Sequence, residues 1–149
     1  MILCDSNVWV ALALSQHSSH SSTLDWFDNI TEAGTLLFCR PTQQAFLRLL
    51  TSAAVLAPFG NPPLTNRQAW SVYESLLTDD RIVIQHREPT GLERYWKEFT
   101  QRDTSSPRLW MDAYLAAFAL AGGYQFVTLD KAFTQFAGLD LVLLSPLDS

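Results

Sequence analysis

Cysteine and glycine are both scarce in this sequence. Its two cysteines, Cys4 and Cys39, are too few for a disulfide framework and lack the CxxC spacing of a metal or redox motif. Both lie in apolar segments, so we expect buried thiols in a reducing compartment. The six glycines form neither a P-loop nor a G-x-G-x-x-G motif, so no nucleotide cofactor is indicated.

The sequence also lacks a long apolar run and an excess of basic residues. Its longest apolar stretch, near 113–121, is far shorter than the roughly 20 residues that span a bilayer, and the N-terminus does not resemble a signal peptide. We therefore expect a cytoplasmic protein that does not enter a membrane. The net charge of −5 is unlike that of a non-specific nucleic-acid binder, although a cation bound among the acids would offset part of it.

What the sequence does contain is an alternation of strand-like and helix-like segments. With 149 residues and 48% hydrophobic content, it is expected to form a single domain over 1–149 with a substantial core. Helical patterns separate the apolar segments, which favours a parallel sheet with helices on both faces, a three-layer α/β/α sandwich. The segments 36–39 and 81–84 are apolar enough to be buried on both sides. The predicted strands are 1–4, 35–39, 81–85, 126–129 and 141–144.

Three aspartates occupy positions that suggest a common site. Asp5 and Asp130 each follow a predicted strand, and Asp112 precedes the apolar helix predicted from Ala113. Because the carboxyl ends of parallel strands meet at one edge of a sheet, the three carboxylates would converge and repel one another unless a hard cation such as Mg²⁺ lay between them. Each aspartate alone also fits a helix cap or a turn, and the helix N-terminus would stabilise Asp112 without a metal.

Three segments around these aspartates resemble the PIN-domain family. They are ILCDSNVW at 2–9, LWMDAYLAAFA at 109–119 and FVTLDKAF at 126–133, and the chain as a whole is similar to the VapC-type toxins of bacterial toxin–antitoxin pairs. This resemblance covers nearly the whole chain. It implies an endoribonuclease dependent on Mg²⁺ or Mn²⁺ that cleaves structured RNA, such as tRNA or rRNA loops. It further implies a homodimer and a cognate antitoxin that places a segment in the active-site groove.

Residue by residue, the resemblance assigns metal binding and catalysis to the three aspartates. The small polar positions that support them fall on Ser6, Asn7 and Thr128. The chain departs from the family at Gln43, where a glutamate is usual; a glutamine carbonyl is a weaker, uncharged ligand. Looser metal binding, a second metal bound only with substrate, or no effect on rate all remain open, as does a contribution of charge from Asp103.

Candidate RNA contacts lie close to the aspartates in the sequence. Arg40 and Arg108 are predicted to contact phosphates, although scattered surface arginines are common. Trp110 is predicted to stack on a base of single-stranded RNA. Trp9 could stack on a base in the same way, but it also fits a place in the hydrophobic core. The three histidines, in polar stretches away from the aspartates, are predicted to be solvated: His17, His20 and His86.

Two other functions compete with the nuclease prediction. In the first, the glutamine at position 43 leaves a catalytically weakened PIN-like module that binds RNA or an antitoxin with little turnover. In the second, the chain is a receiver-like or phosphatase-like domain with Asp5 as phosphoacceptor. The second is disfavoured because Asn7 stands where that phosphatase chemistry requires another aspartate.

Overall fold

Five parallel strands form one central sheet in the computed structural model, which describes residues 1–145. The spatial order is β3-β2-β1-β4-β5, so β1 is central and its neighbours are β2 and β4. The carboxyl ends of these three strands therefore lie side by side. The strands are Ile2–Cys4 (β1), Leu36–Cys39 (β2), Ile82–Gln85 (β3), Gln125–Thr128 (β4) and Leu141–Leu143 (β5).

Helices connect each strand to the next, apart from a 3₁₀ turn before the last strand. The α-helices are Ser6–Ala13 (α1), His20–Asp28 (α2), Arg40–Leu50 (α3), Ala53–Leu56 (α4), Asn66–Leu76 (α5), Leu92–Thr100 (α6) and Leu109–Gly122 (α7). Short 3₁₀ helices span Ala57–Phe59 and Lys131–Gln135. Within the described residues no helix is long and apolar enough to cross a membrane.

Alternating strand residues supply two separate hydrophobic cores, one on each face of the sheet. Helices α6 and α7 cover one face, and α1, α3 and α5 cover the other. This arrangement confirms the predicted three-layer α/β/α sandwich. The first core includes Leu3, Leu37 and Phe126, and the second includes Ile2, Cys4, Leu36, Phe38 and Val127.

Three local predictions differ from the structure. The helical spacing of Leu24, Phe27 and Ile30 predicts a helix over 23–33 that ends at Gly34. The helix lies at His20–Asp28 instead, and Gly34 adopts a positive φ of 69° in the loop after it. The breaker-rich stretch 57–63 begins with the 3₁₀ turn that continues α4. β3 lies at the edge of the sheet, and only its Ile82 is fully buried. The predicted two-sided burial is confirmed in part, because Val83 packs against one core and Ile84 against the other while both stay partly exposed.

Candidate active site

Asp5 joins the central strand to the first helix. Its backbone N–H donates to the carbonyl of Val127 (2.9 Å), which extends the pairing between β1 and β4. Its Oδ1 accepts from the backbone N–H of Ser6 (2.8 Å), so Asp5 is the N-cap of α1. The sequence pattern predicts a helix from Val8 with Ser6 or Asn7 as its cap, and this prediction is wrong because the cap lies one residue before Ser6. Only 7% of the Asp5 surface is exposed, so its carboxylate is held in one place.

The hydroxyl of Thr128 connects the elements around Asp5. It donates to Asp5 Oδ2 (2.7 Å) and accepts from the backbone N–H of Asp130 (3.0 Å) and from Asn7 Nδ2 (3.3 Å). Asn7 Oδ1 in turn accepts from the backbone N–H of Leu129 (3.2 Å). One donor and two acceptor positions are all that a hydroxyl offers. The network is therefore saturated and fixes the direction in which the hydroxyl points.

Negative charge is destabilised at this position. The pKa of Asp5 is raised to about 6, chiefly because burial disfavours the charged form. Hydrogen bonds from Thr128 and Ser6 act in the opposite direction, whereas repulsion from Asp112 and Asp130 raises the pKa further. The pKa of Asp112 is raised by its own burial and by Asp130. The structure thus brings the three aspartates close enough for every pair to interact.

The second and third aspartates differ in their settings. Asp112 is half-buried in the first turn of α7, which begins at Leu109, earlier than the predicted start at Ala113. Asp130 is exposed, and its Oδ1 accepts from the backbone N–H of Ala132 (2.9 Å), capping the 3₁₀ helix. Arg108 is the N-cap residue of α7 but makes no side-chain cap. Hydrogen bonds therefore hold Asp5, a turn holds Asp130, and Asp112 is constrained mainly by packing.

The chemistry of the side chains fits a hard divalent cation. All candidate ligands are oxygens, and a cation would relieve the repulsion among them. Within residues 1–145, however, no three His, Cys, Asp or Glu side chains are grouped closely enough to hold one ion together. Direct ligation by all three aspartates would therefore need a side-chain adjustment, for which the exposed Asp130 has room.

Gln43 is buried, and its carbonyl already has a partner. The guanidinium of Arg40, one turn earlier in α3, donates to Gln43 Oε1. The start of α3 lies near the first aspartate, since Asp5 contributes to the raised pKa of Cys39. A second Arg40 nitrogen lies 3.2 Å from Nδ1 of His86. His86 is exposed, as predicted, and it also contacts this candidate phosphate-binding arginine.

Three other sequence predictions are settled by burial and packing. Trp9 is fully buried and stacks on Phe38 with ring centroids 4.1 Å apart, so it cannot stack on RNA. His17 stacks on Phe59 and His20 Nδ1 lies 2.8 Å from the Ala11 carbonyl, so neither is simply solvated. Asp103 is exposed and contributes to neither raised aspartate pKa.

Trp110 is exposed, as its predicted role requires, and lies among residues that the sequence analysis missed. These are Glu88, Trp96 and Tyr114, which line a cleft with Trp110. Tyr114 follows Trp110 by four residues in α7, and this helical spacing was an available signal. Nothing in the sequence pattern indicates Glu88, which lies in a loop after β3.

The chain belongs to the PIN domain family, whose sequence profile matches residues 2–139. Ribonuclease VapC41 of Mycobacterium tuberculosis is 54% identical over 145 residues, which cover 97% of this chain and 99% of the relative. Ribonuclease VapC31 of the same organism is 28% identical over 141 residues, covering 93% of this chain and 95% of that one. These relatives match the chain along nearly its whole length.

Solved structures show the same fold at low sequence identity. VapBC2 from Rickettsia felis, bound to a DNA fragment from its promoter, has a TM-score of 0.65 at 17% identity, with 97% of this chain and 99% of that chain covered. VapC20 of Mycobacterium tuberculosis, a sarcin–ricin loop cleaving toxin, has a TM-score of 0.64 at 15% identity, covering 94% and 98%. At these identities, both structures show that the chain shares their fold.

Proposed function

We propose that this chain is a VapC-type toxin, a metal-dependent endoribonuclease that cleaves structured RNA such as tRNA or rRNA loops. The observation that carries the proposal is the meeting of three mutually repelling aspartates at one edge of a parallel sheet. The 54% identity to a ribonuclease over nearly the whole chain supports the same reaction. The chain acts as one PIN-like domain over 1–149.

In this proposal Asp5, Asp112 and Asp130 hold Mg²⁺ or Mn²⁺. A divalent ion bound there supplies an activated water and stabilises charge on the departing oxygen. The Thr128 hydroxyl keeps one oxygen of Asp5 in place, and the Ser6 backbone keeps the other. The partners of catalytic carboxylates matter because they determine ligand orientation.

Two arginines are proposed to contact the RNA backbone. Arg40 is exposed, and its guanidinium is positioned by Gln43 and His86. Arg108 is exposed at the N-terminus of α7, where backbone N–H groups also favour a phosphate. Their charges oppose the repulsion that a protein of net charge −5 exerts on a polyanion.

We also propose that the protein acts in the cytoplasm as a homodimer and is neutralised by a cognate antitoxin. The family resemblance supports these assignments. The likeness to VapBC2 of Rickettsia felis and to FitAcB of Neisseria gonorrhoeae supports the antitoxin partner alone, the latter with a TM-score of 0.60 at 17% identity and coverage of 95% and 96%.

The direct test is cleavage of total cellular RNA by the purified protein with Mg²⁺, with and without a chelator. We expect a small set of new 5′ ends that disappear with EDTA and return with excess Mg²⁺ or Mn²⁺. Mapping these ends identifies the RNA and the bond that is cut. Intact RNA under all conditions would contradict the nuclease proposal, and cleavage that persists in EDTA would contradict its metal dependence.

Gln43 favours a second candidate function, a weakened PIN-like module that binds RNA or an antitoxin. The side chain is buried and neutral where the family usually has a charged glutamate, and its carbonyl is occupied by Arg40. If a negative charge at this position is needed for turnover, the present chain would bind its partners but cleave RNA slowly.

Substitution of Gln43 by glutamate distinguishes the two functions. We expect Gln43→Glu to change the rate of RNA cleavage by less than about tenfold, or 1.4 kcal/mol, because the Arg40 guanidinium would pair with the new carboxylate. Gln44→Glu is the matched control, because Gln44 is exposed on the same helix and its substitution adds the same charge away from the site. A gain above about 100-fold, or 2.7 kcal/mol, in Gln43→Glu alone would favour the weakened module.

A further inference from the structure

An aromatic cleft of about 590 Å³ lies beside the candidate active site, between the start of α7, helix α6 and the loop after β3. Trp110 and Met111, which line it, are 55% and 54% exposed. Large apolar side chains at this exposure in one place commonly mark a binding surface. Pro41, next to the candidate phosphate-binding Arg40 at the start of α3, lines the same cleft.

The aromatic wall of this cleft is held in a defined geometry. The indole N–H of Trp96 donates to the backbone carbonyl of Trp110 (3.0 Å), which ties α6 to the first turn of α7. The Trp96 ring meets Trp110 edge-on, with centroids 6.1 Å apart, and meets Tyr114 edge-on at 5.5 Å. A ligand that stacks here would therefore lose little free energy to ordering of the wall.

The cleft also contains a hydrogen-bond acceptor. The Tyr114 hydroxyl donates to Glu88 Oε1 (2.8 Å), and the second oxygen of Glu88 makes no hydrogen bond within residues 1–145. Burial and the Glu88 carboxylate raise the pKa of Tyr114, so its hydroxyl remains a donor to Glu88. A carboxylate that is oriented in this way accepts N–H groups, and those of nucleobases are well suited to it.

The position of the cleft indicates which kind of ligand it takes. Arg108, a cleft residue at the start of α7, supplies a positive charge at the rim. An apolar side chain from a protein partner would bury the Glu88 carboxylate without an N–H donor, which is unfavourable. A nucleobase has a flat face for the tryptophan, N–H donors for the carboxylate and a phosphate for the arginine.

We infer that this cleft is a base-binding pocket in which an unpaired RNA base stacks on Trp110 and presents its N–H groups to Glu88. The inference rests on the proposed nuclease function and extends it to substrate selection. Guanine is the best match because its Watson–Crick edge carries two adjacent N–H donors. Uracil is the poorest of the four bases because it has no amino group.

The test measures binding separately from cleavage. Fluorescently labelled oligouridine and the same oligomer with one central guanosine are titrated with the wild-type protein in EDTA, and anisotropy gives the dissociation constants. We expect tighter binding of the guanosine-containing strand. Trp110→Ala should weaken that binding by roughly 5- to 100-fold, as for the loss of one base–aromatic stack.

Matched variants separate this pocket from general aromatic or charge effects. Trp70→Ala removes a tryptophan of similar exposure, 48%, from α5, and it should leave binding unchanged. Glu88→Gln keeps an oxygen for the Tyr114 hydroxyl, so it should lower the ratio of guanosine-strand affinity to oligouridine affinity. Circular dichroism checks that each variant is folded.

Equal affinity of the wild type and Trp110→Ala for the guanosine-containing strand would contradict the base-binding pocket. Equal losses of affinity in Trp110→Ala and Trp70→Ala would contradict it too. If Trp110→Ala bound RNA normally but failed to bind a partner protein, the cleft would be a protein-docking site and the inference would be wrong. These results are independent of turnover. A pocket can be present in a protein that does not cleave, and a nuclease can cleave without dependence on Trp110.

Discussion

Replacement of Asp112 by asparagine is expected to eliminate RNA cleavage while leaving the fold intact. The side chain is half-buried, and burial and repulsion by Asp130 alone shift its pKa, with no hydrogen bond involved. The substitution thus removes one charge and little else. Loss of a metal ligand should remove several kcal/mol of transition-state stabilisation, so the rate should fall by at least about 10³-fold.

The same variant has a signature that does not depend on activity. Without metal, Asp112→Asn should raise the free energy of unfolding by up to about 1 kcal/mol, because repulsion among partly exposed charges is relieved. Mg²⁺ should raise the melting temperature of the wild type, since an ion that binds only the native state stabilises it. The variant should not respond to Mg²⁺.

Asp25→Asn is the control for these measurements, because Asp25 is exposed on α2 and carries the same charge. It should cleave RNA and respond to Mg²⁺ as the wild type does. Undiminished cleavage by Asp112→Asn would show that Asp112 is not needed for the reaction and would contradict the proposed mechanism. Equal Mg²⁺ responses in the wild type and in Asp112→Asn would show that the ion binds elsewhere.

Thr128→Val is expected to impair both stability and cleavage. Valine fills nearly the same volume but leaves three groups without their partner, namely Asp5 Oδ2, the Asn7 amide and the Asp130 backbone N–H. Because Thr128 is fully buried, we expect a loss of about 2–3 kcal/mol in the free energy of unfolding, measured by urea denaturation. Cleavage should fall by roughly 10- to 100-fold, as is usual for groups that orient metal ligands.

Thr128→Ser provides the matched comparison. Serine keeps the hydroxyl and loses only a methyl group, so it should keep most of the activity despite a modest loss of stability. If the valine and serine variants cleaved RNA equally well, the hydroxyl would have no part in positioning Asp5. If both were equally destabilised with normal cleavage, Thr128 would contribute to packing and not to the site.

The sequence predicted the architecture well because strands and helices are encoded locally. Periodic apolar positions and breakers indicated all five strands, and each has bounds within a residue or two of those predicted. The helix 23–33 was displaced because its start depends on packing near His20, whose ring nitrogen lies 2.8 Å from the Ala11 carbonyl. The edge position of β3 depends on strand order, which no single segment encodes.

The candidate site was predictable in part. That Asp5 and Asp130 each follow a strand is visible in the sequence, whereas the structure decided that these strands are neighbours. Their role as metal ligands stays a prediction. The hydrogen bond of Arg40 to Gln43 and the contact of Arg40 with His86 were not predicted, because the second spans 46 positions in the chain.

By itself the sequence determined the order of strands and helices and the placement of acidic residues where strands end. Short-range preferences and burial account for both. Only the tertiary structure decided which side chains are available for chemistry. Trp9 is buried in the core, the Gln43 carbonyl accepts a hydrogen bond from Arg40, and Glu88 accepts one from Tyr114, 26 residues away in the chain. Such pairings depend on how helices and loops pack against the sheet, and hydrophobic periodicity does not specify that packing.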